Sequence, residues 1–150
     1  MAPTLIPPAP AAPATPVPSL GALARLAYFL MFVGLLAGAV SGIGTFALGQ
    51  APMTQWVLMA HVGASPLFAV GLTLVALTWP SREARYGRFS WFLFWLLLLA
   101  GWVLIVSGVL PMTPLAGTEG QHQLYLIHRY SGIATAALAL LHLLSLRPRR

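Results

Sequence analysis

Histidine is the residue with the most chemistry in this 150-residue chain, and it occurs four times. His122, His128 and His142 lie in the stretch "QHQLYLIHRYSGIATAALALLHLL" over 121–144. His61 lies in "QWVLMAHVGASPLFAVGLTLVALTW" over 55–79. A neutral imidazole offers one lone pair and one N–H, so it can ligate a metal, accept a proton or satisfy a polar neighbour. Set among leucine and alanine at membrane depth, an ionisable side chain costs about 3 kcal/mol and marks a site by default. Other chemistry is scarce. The chain has no cysteine, which excludes disulfides, Cys-held iron–sulfur clusters and covalent c-type haem attachment. Its two carboxylates, Glu83 and Glu119, are 36 residues apart and form no acid–base pair in sequence.

Four apolar stretches carry these histidines, at about 22–48, 54–79, 89–112 and 124–146. Each exceeds the roughly 20 residues a helix needs to cross a bilayer. With 59% hydrophobic residues, 7% charged residues and a mean hydropathy of +0.84, the chain is expected to be an all-α, polytopic membrane four-helix bundle. The +6 charge comes from arginine, and its placement argues for membrane topology and against nucleic acid. Arg25 precedes the first span, Arg82, Arg85 and Arg88 separate the second from the third, and Arg147, Arg149 and Arg150 follow the fourth. Only Arg129 falls on the other side, so both termini are expected in the cytoplasm, with the 49–53 and 113–123 loops outside. Residues 1–20 are rich in proline and alanine, carry no charge and read as an extended cytoplasmic tail, or as a docking tail that orders on a partner. Residues 147–150 form a basic tail.

Spans one and two form a hairpin that spans three and four echo loosely. Each hairpin has "LLAG", then Ser-Gly near the outer end of its first helix, then a histidine early in its second. Gly42 to His61 is 19 residues, and Gly108 to His128 is 20. At 1.5 Å of rise per residue, His61 and His128 enter their spans at depths about 5 Å apart, and Gly42 and Gly108 fall at a similar level. Two diagonal helices then offer imidazole and two offer no side chain. That pocket suits a flat, bulky, imidazole-ligated group, and a porphyrin meets the description. His61 and His128 are the candidate axial ligands of its iron, with Gly42 and Gly108 giving clearance. A structural zinc site needs four donors, which this level lacks.

The other candidates are less constrained. His142 follows His128 by 14 residues, which is about 21 Å along the helix and nearly the same face. That spacing would stack a second haem, but Val75 stands at the partner position 14 after His61, and Met31 is the one soft substitute. His142 otherwise snorkels to the inner interface, contacts a quinone, or survives from a lost site. His122 reads as a solvated loop residue, or as a contact to a propionate or a docked redox protein. Arg129 reads as a propionate partner or a snorkelling interface residue. Gly34, Gly38 and Gly42 form a helix-packing stripe. Pro66 is expected to bend span two. Trp56, Trp79 and Trp91 read as an interfacial belt, and Trp95 and Trp102 as packed between helices.

The segment "HRYSGIATAALALLH", with "SGVLPM" before it, resembles the last haem-bearing helix of bacterial membrane cytochromes b, in the four-helix di-haem cytochrome b superfamily. The resemblance covers roughly residues 30–146, and its motif is specific only in the second hairpin. It implies haem b, electron transfer and a bacterial inner-membrane location. Where that family stacks two haems between two histidine-bearing helices, Val75 occupies the fourth ligand position here, so one haem is expected. The function expected is that of a non-catalytic subunit relaying electrons between an extracytoplasmic redox partner and quinone or another cofactor, within a respiratory or photosynthetic complex of further membrane and extracytoplasmic subunits. The rival readings are a haem-free structural subunit of such a complex, and a transporter or metal conduit, which the sparse mid-membrane polar residues disfavour.

Overall fold

The computed structural model describes residues 21–49, 53, 55–78 and 87–146. They form α1 (Ala22–Ala47), α2 (Gln55–Thr78), α3 (Arg88–Val109) and α4 (Thr118–Ser145), with a short 3-10 turn at Leu110–Met112. All four helices are long and apolar enough to cross a membrane. Large apolar side chains such as Phe29, Leu36, Val40, Leu77, Leu99 and Leu140 are exposed on all four helices, as in a surface that meets lipid or other membrane helices. The chain is an all-α, multi-pass integral membrane protein. The 1–20 and 147–150 tails, Trp79, and the arginines at 82 and 85 lie outside the described residues.

Three of the expected spans match their helices within two or three residues. The fourth does not: α4 begins at Thr118, six residues before the apolar run, and the loop before it shrinks accordingly. Gly117 is its N-cap, Glu119 sits in the first turn where the helix dipole favours a carboxylate, and Gln123 Nε2 donates to Glu119 Oε1 at 2.9 Å. These polar residues extend a helix that hydropathy alone truncates. His122 is therefore an exposed helical residue of α4, not a loop residue.

The helices alternate in direction and pair as two antiparallel hairpins, α1 with α2 and α3 with α4, which meet through smaller α1–α4 and α2–α3 contacts. In that ring α2 and α4 lie on a diagonal. The α1–α2 pairing is close because glycine permits it. A Cβ on Gly34 would strike the backbone of Phe68 and Ala64, and one on Gly71 would strike the backbone of Met31. Gly38 has nothing within 4 Å of such a Cβ, so the glycine stripe is a packing device at position 34 but not at 38. Pro66 lies inside a continuous α2.

Packing divides the bundle across its middle. Towards the end where α1 begins and α4 finishes, Ala27, Met31, Leu35, Phe68, Leu72, Val75, Phe94, Leu97, Leu98 and Ala139 form one core. Towards the opposite end, over 36–47, 55–63, 102–109 and 118–134, only Thr45 and Ser107 are buried. Trp95 and Trp102 face outward, 47% and 49% exposed, rather than packing between helices.

Candidate functional site

The sparsely packed half holds His61 and His128. Their rings come together across the α2–α4 diagonal, with centroids 6.0 Å apart and planes at 79°. Each ring lies against the first helix of its own hairpin. A Cβ built on Gly42 would stand 3.2 Å from His61 Cε1 and 3.7 Å from Nδ1. One on Gly108 would stand 2.9 Å from His128 Cε1 and 3.0 Å from Nδ1. All four residues singled out by spacing therefore meet at one level. The glycines clear space for the imidazoles themselves, a more direct role than admitting the edges of a ligand.

Hydrogen bonds fix the proton on each ring. His128 Nδ1 is 3.0 Å from the Leu104 carbonyl oxygen, which only accepts, so Nδ1 carries the hydrogen. His61 Nδ1 is 2.9 Å from Ser41 Oγ. That hydroxyl donates to the Ala37 carbonyl at 2.6 Å, with the Gly38 carbonyl 3.1 Å away, and so accepts from the ring. Gly38 also offers its backbone carbonyl to His61. In both histidines Nε2 is left with its lone pair, and among the described residues neither Nε2 has a hydrogen-bond partner. An imidazole whose Nδ1–H is held by a backbone or hydroxyl acceptor is in the state that metal ligands adopt.

Among the described residues no group of three or more His, Cys, Asp or Glu could hold a metal ion. Two imidazoles alone do not complete a site, so the remaining donors would have to come with the metal. Metal–imidazole bonds of about 2 Å on either side of one metal put ring centres roughly 6 Å apart; the two rings here stand 6.0 Å apart in a T-shaped, edge-on contact. The level thus offers two neighbouring rings, two Nε2 lone pairs and two glycine cradles, with little side-chain burial around them.

Arg129 lies beside this level. Its guanidinium carbon stacks 3.5 Å from the centroid of Phe46, bridging α4 to α1, and lies 5.4 Å from the Tyr130 ring. Its Nε is buried without a hydrogen-bond partner among the described residues. A buried guanidinium N–H in that state fits an anionic acceptor. The cross-helix stack on Phe46 has no signal in sequence, because α1 and α4 are distant in the chain.

His142 is fully buried, at 0% exposure, with its ring 5.8 Å from that of Phe94. It does not snorkel. Met31 and Val75 are equally enclosed, in one core with Phe94, Leu97 and Ala139. His122 is exposed and remote from this cluster in sequence and on its helix. The chain matches no protein-family model, no curated protein and no solved structure.

Proposed function

We propose that the chain is a membrane electron-transfer subunit of the cytochrome b type, carrying one haem b between His61 and His128. The observation that carries this reading is the pair of imidazoles from α2 and α4 with centroids 6.0 Å apart, each engaged through Nδ1 and each with the Nε2 lone pair left for a ligand bond. The resemblance of "HRYSGIATAALALLH" to the haem-bearing helix of bacterial cytochromes b points the same way. When bound, haem supplies a one-electron ferric/ferrous couple, and two histidine ligands leave no coordination position for substrate. The protein's own part is to hold both rings in one tautomer, exclude water with the apolar walls of four helices, and offer Arg129 to a propionate. The terminal half is filled by side chains, so a single haem is the reading for this chain. With termini in the cytoplasm by the arginine pattern, the histidine level lies towards the extracytoplasmic face. An extracytoplasmic redox protein would exchange electrons there, and quinone or another cofactor in a larger complex of the bacterial inner membrane would be the other partner.

The test is the pyridine haemochrome assay on the purified chain, with absorption spectra after reduction. One haem per chain is expected in wild type, and none in His61→Ala or His128→Ala. Wild type lacking a reduced α-band refutes the reading and leaves a haem-free structural subunit.

A further inference from the structure

Ser-Gly occurs three times in the chain, and at 41–42 on α1 and 107–108 on α3 its glycine lies beside a histidine of the following helix. The glycines act alike in the two hairpins. The serines do not. Ser107 Oγ donates to the carbonyls of Val103 at 2.7 Å and Leu104 at 3.1 Å, both in its own helix, and makes no hydrogen bond to His128. His128 instead reaches the Leu104 carbonyl directly. Ser41 Oγ binds its own helix at Ala37 and also takes the Nδ1–H of His61 at 2.9 Å. Among the described residues His128 therefore engages no side-chain hydroxyl, whereas His61 engages the Ser41 hydroxyl as well as the Gly38 carbonyl.

Resting on the haem reading above, we infer that Ser41 is the positioning residue for His61: it fixes that ring's tautomer and orientation, and through them the strength of the His61 bond to iron. Ser41 does not touch the haem iron. It acts only through the imidazole, as outer-shell partners of metal-bound histidine do.

Ser41→Ala keeps the helix and the glycine cradle but removes the hydroxyl. The Gly38 carbonyl remains as a second acceptor, so the expected loss lies at the low end of the range for such partners, about tenfold in haem affinity. Ser41→Thr retains an oxygen that can bond the carbonyl four residues back, and is expected to restore binding. Ser107→Ala is expected to bind haem like wild type. Affinity is read by titrating ferric haem into the full-length, haem-free chain in detergent micelles. The second readout is the nitrogen NMR spectrum of histidine-labelled, haem-free protein. His61 is expected as the Nδ1–H tautomer in wild type and Ser41→Thr, and as a mixture in Ser41→Ala. A reduction potential that moves in Ser41→Ala but not in Ser107→Ala is expected as well. If wild type binds haem and Ser41→Ala matches it in affinity, tautomer and potential, the role of Ser41 is overturned while the haem reading stands. If wild type takes up no haem, both fall.

Discussion

Replacing Gly108 by alanine is the sharpest probe of the site, because its effect follows from one distance. The new Cβ would lie 2.9 Å from His128 Cε1 and 3.0 Å from Nδ1. Carbon contacts settle near 3.5 Å, so the ring must retreat by about 0.6 Å. Moving away from α3, the ring carries Nδ1 from 3.0 Å out to roughly 3.6 Å from the Leu104 oxygen, beyond hydrogen-bonding range. The lost bond costs about 1 kcal/mol, and the crowding costs a further 1–3 kcal/mol or so. Alanine in place of glycine within a helix returns about 0.5–1 kcal/mol. The balance is near 2 kcal/mol, roughly thirtyfold in an equilibrium constant. Equilibrium unfolding of the haem-free chain in micelles measures that balance, and titration of ferric haem reads whether the displaced ring still binds. Gly42→Ala, whose Cβ would stand 3.2 Å from His61 Cε1, should lose about five- to tenfold, an overlap closer to the lower limit of overpacking. Gly38→Ala and Gly44→Ala meet nothing within 4 Å and should bind haem as wild type does. If Gly108→Ala binds as tightly as Gly38→Ala, the ring is not held against α3 as described, and the reasoning fails.

Three further outcomes are expected. Val75→His places a second imidazole near His142, but the core of Met31, Phe94 and Leu97 fills that level; the haem count stays at one, melting falls by the equivalent of about 1–3 kcal/mol, and a count of two refutes the closed half. Arg129→Ala loses the stack on Phe46, worth about 0.5–2 kcal/mol, and shifts the haem reduction potential, whereas Arg129→Lys keeps the charge and recovers most of the potential; equal potentials in all three proteins would remove Arg129 from the site. Gly71→Ala puts its Cβ against the Met31 backbone, while in Gly101→Ala the obstacle is the flexible Leu72 side chain at 2.6 Å; thermal unfolding in micelles should show Gly71→Ala as the more damaging by about 1 kcal/mol or more.

Much of the site was legible in the chain because depth along a membrane helix is counted in residues. His61, His128, Gly42 and Gly108 could be set at one level by arithmetic on span ends, and the structure brings them together. That agreement survives an error in the fourth span, whose helix starts at Thr118, because counting was needed only to within a turn. The polar run "TEGQHQ" defeated the boundary, since hydropathy reports what lipid tolerates and not what a helix backbone accepts. The outward faces of Trp95 and Trp102 were also missed. In lipid an apolar residue gains little by facing inward, so hydrophobicity carries no rotational signal there.

The amino-acid order by itself determined the membrane-spanning class, the helix count and the level at which imidazoles face small residues, because each follows from run lengths and spacing along single helices. Only the tertiary structure decided that Ser41 and the Leu104 carbonyl take the Nδ1 protons, that Arg129 reaches Phe46, and that His142 is sealed in a packed core. Those contacts depend on how helices rotate and cross. A backbone acceptor such as the Leu104 carbonyl is chemically the same in every residue, so it becomes particular only once another helix is laid against it.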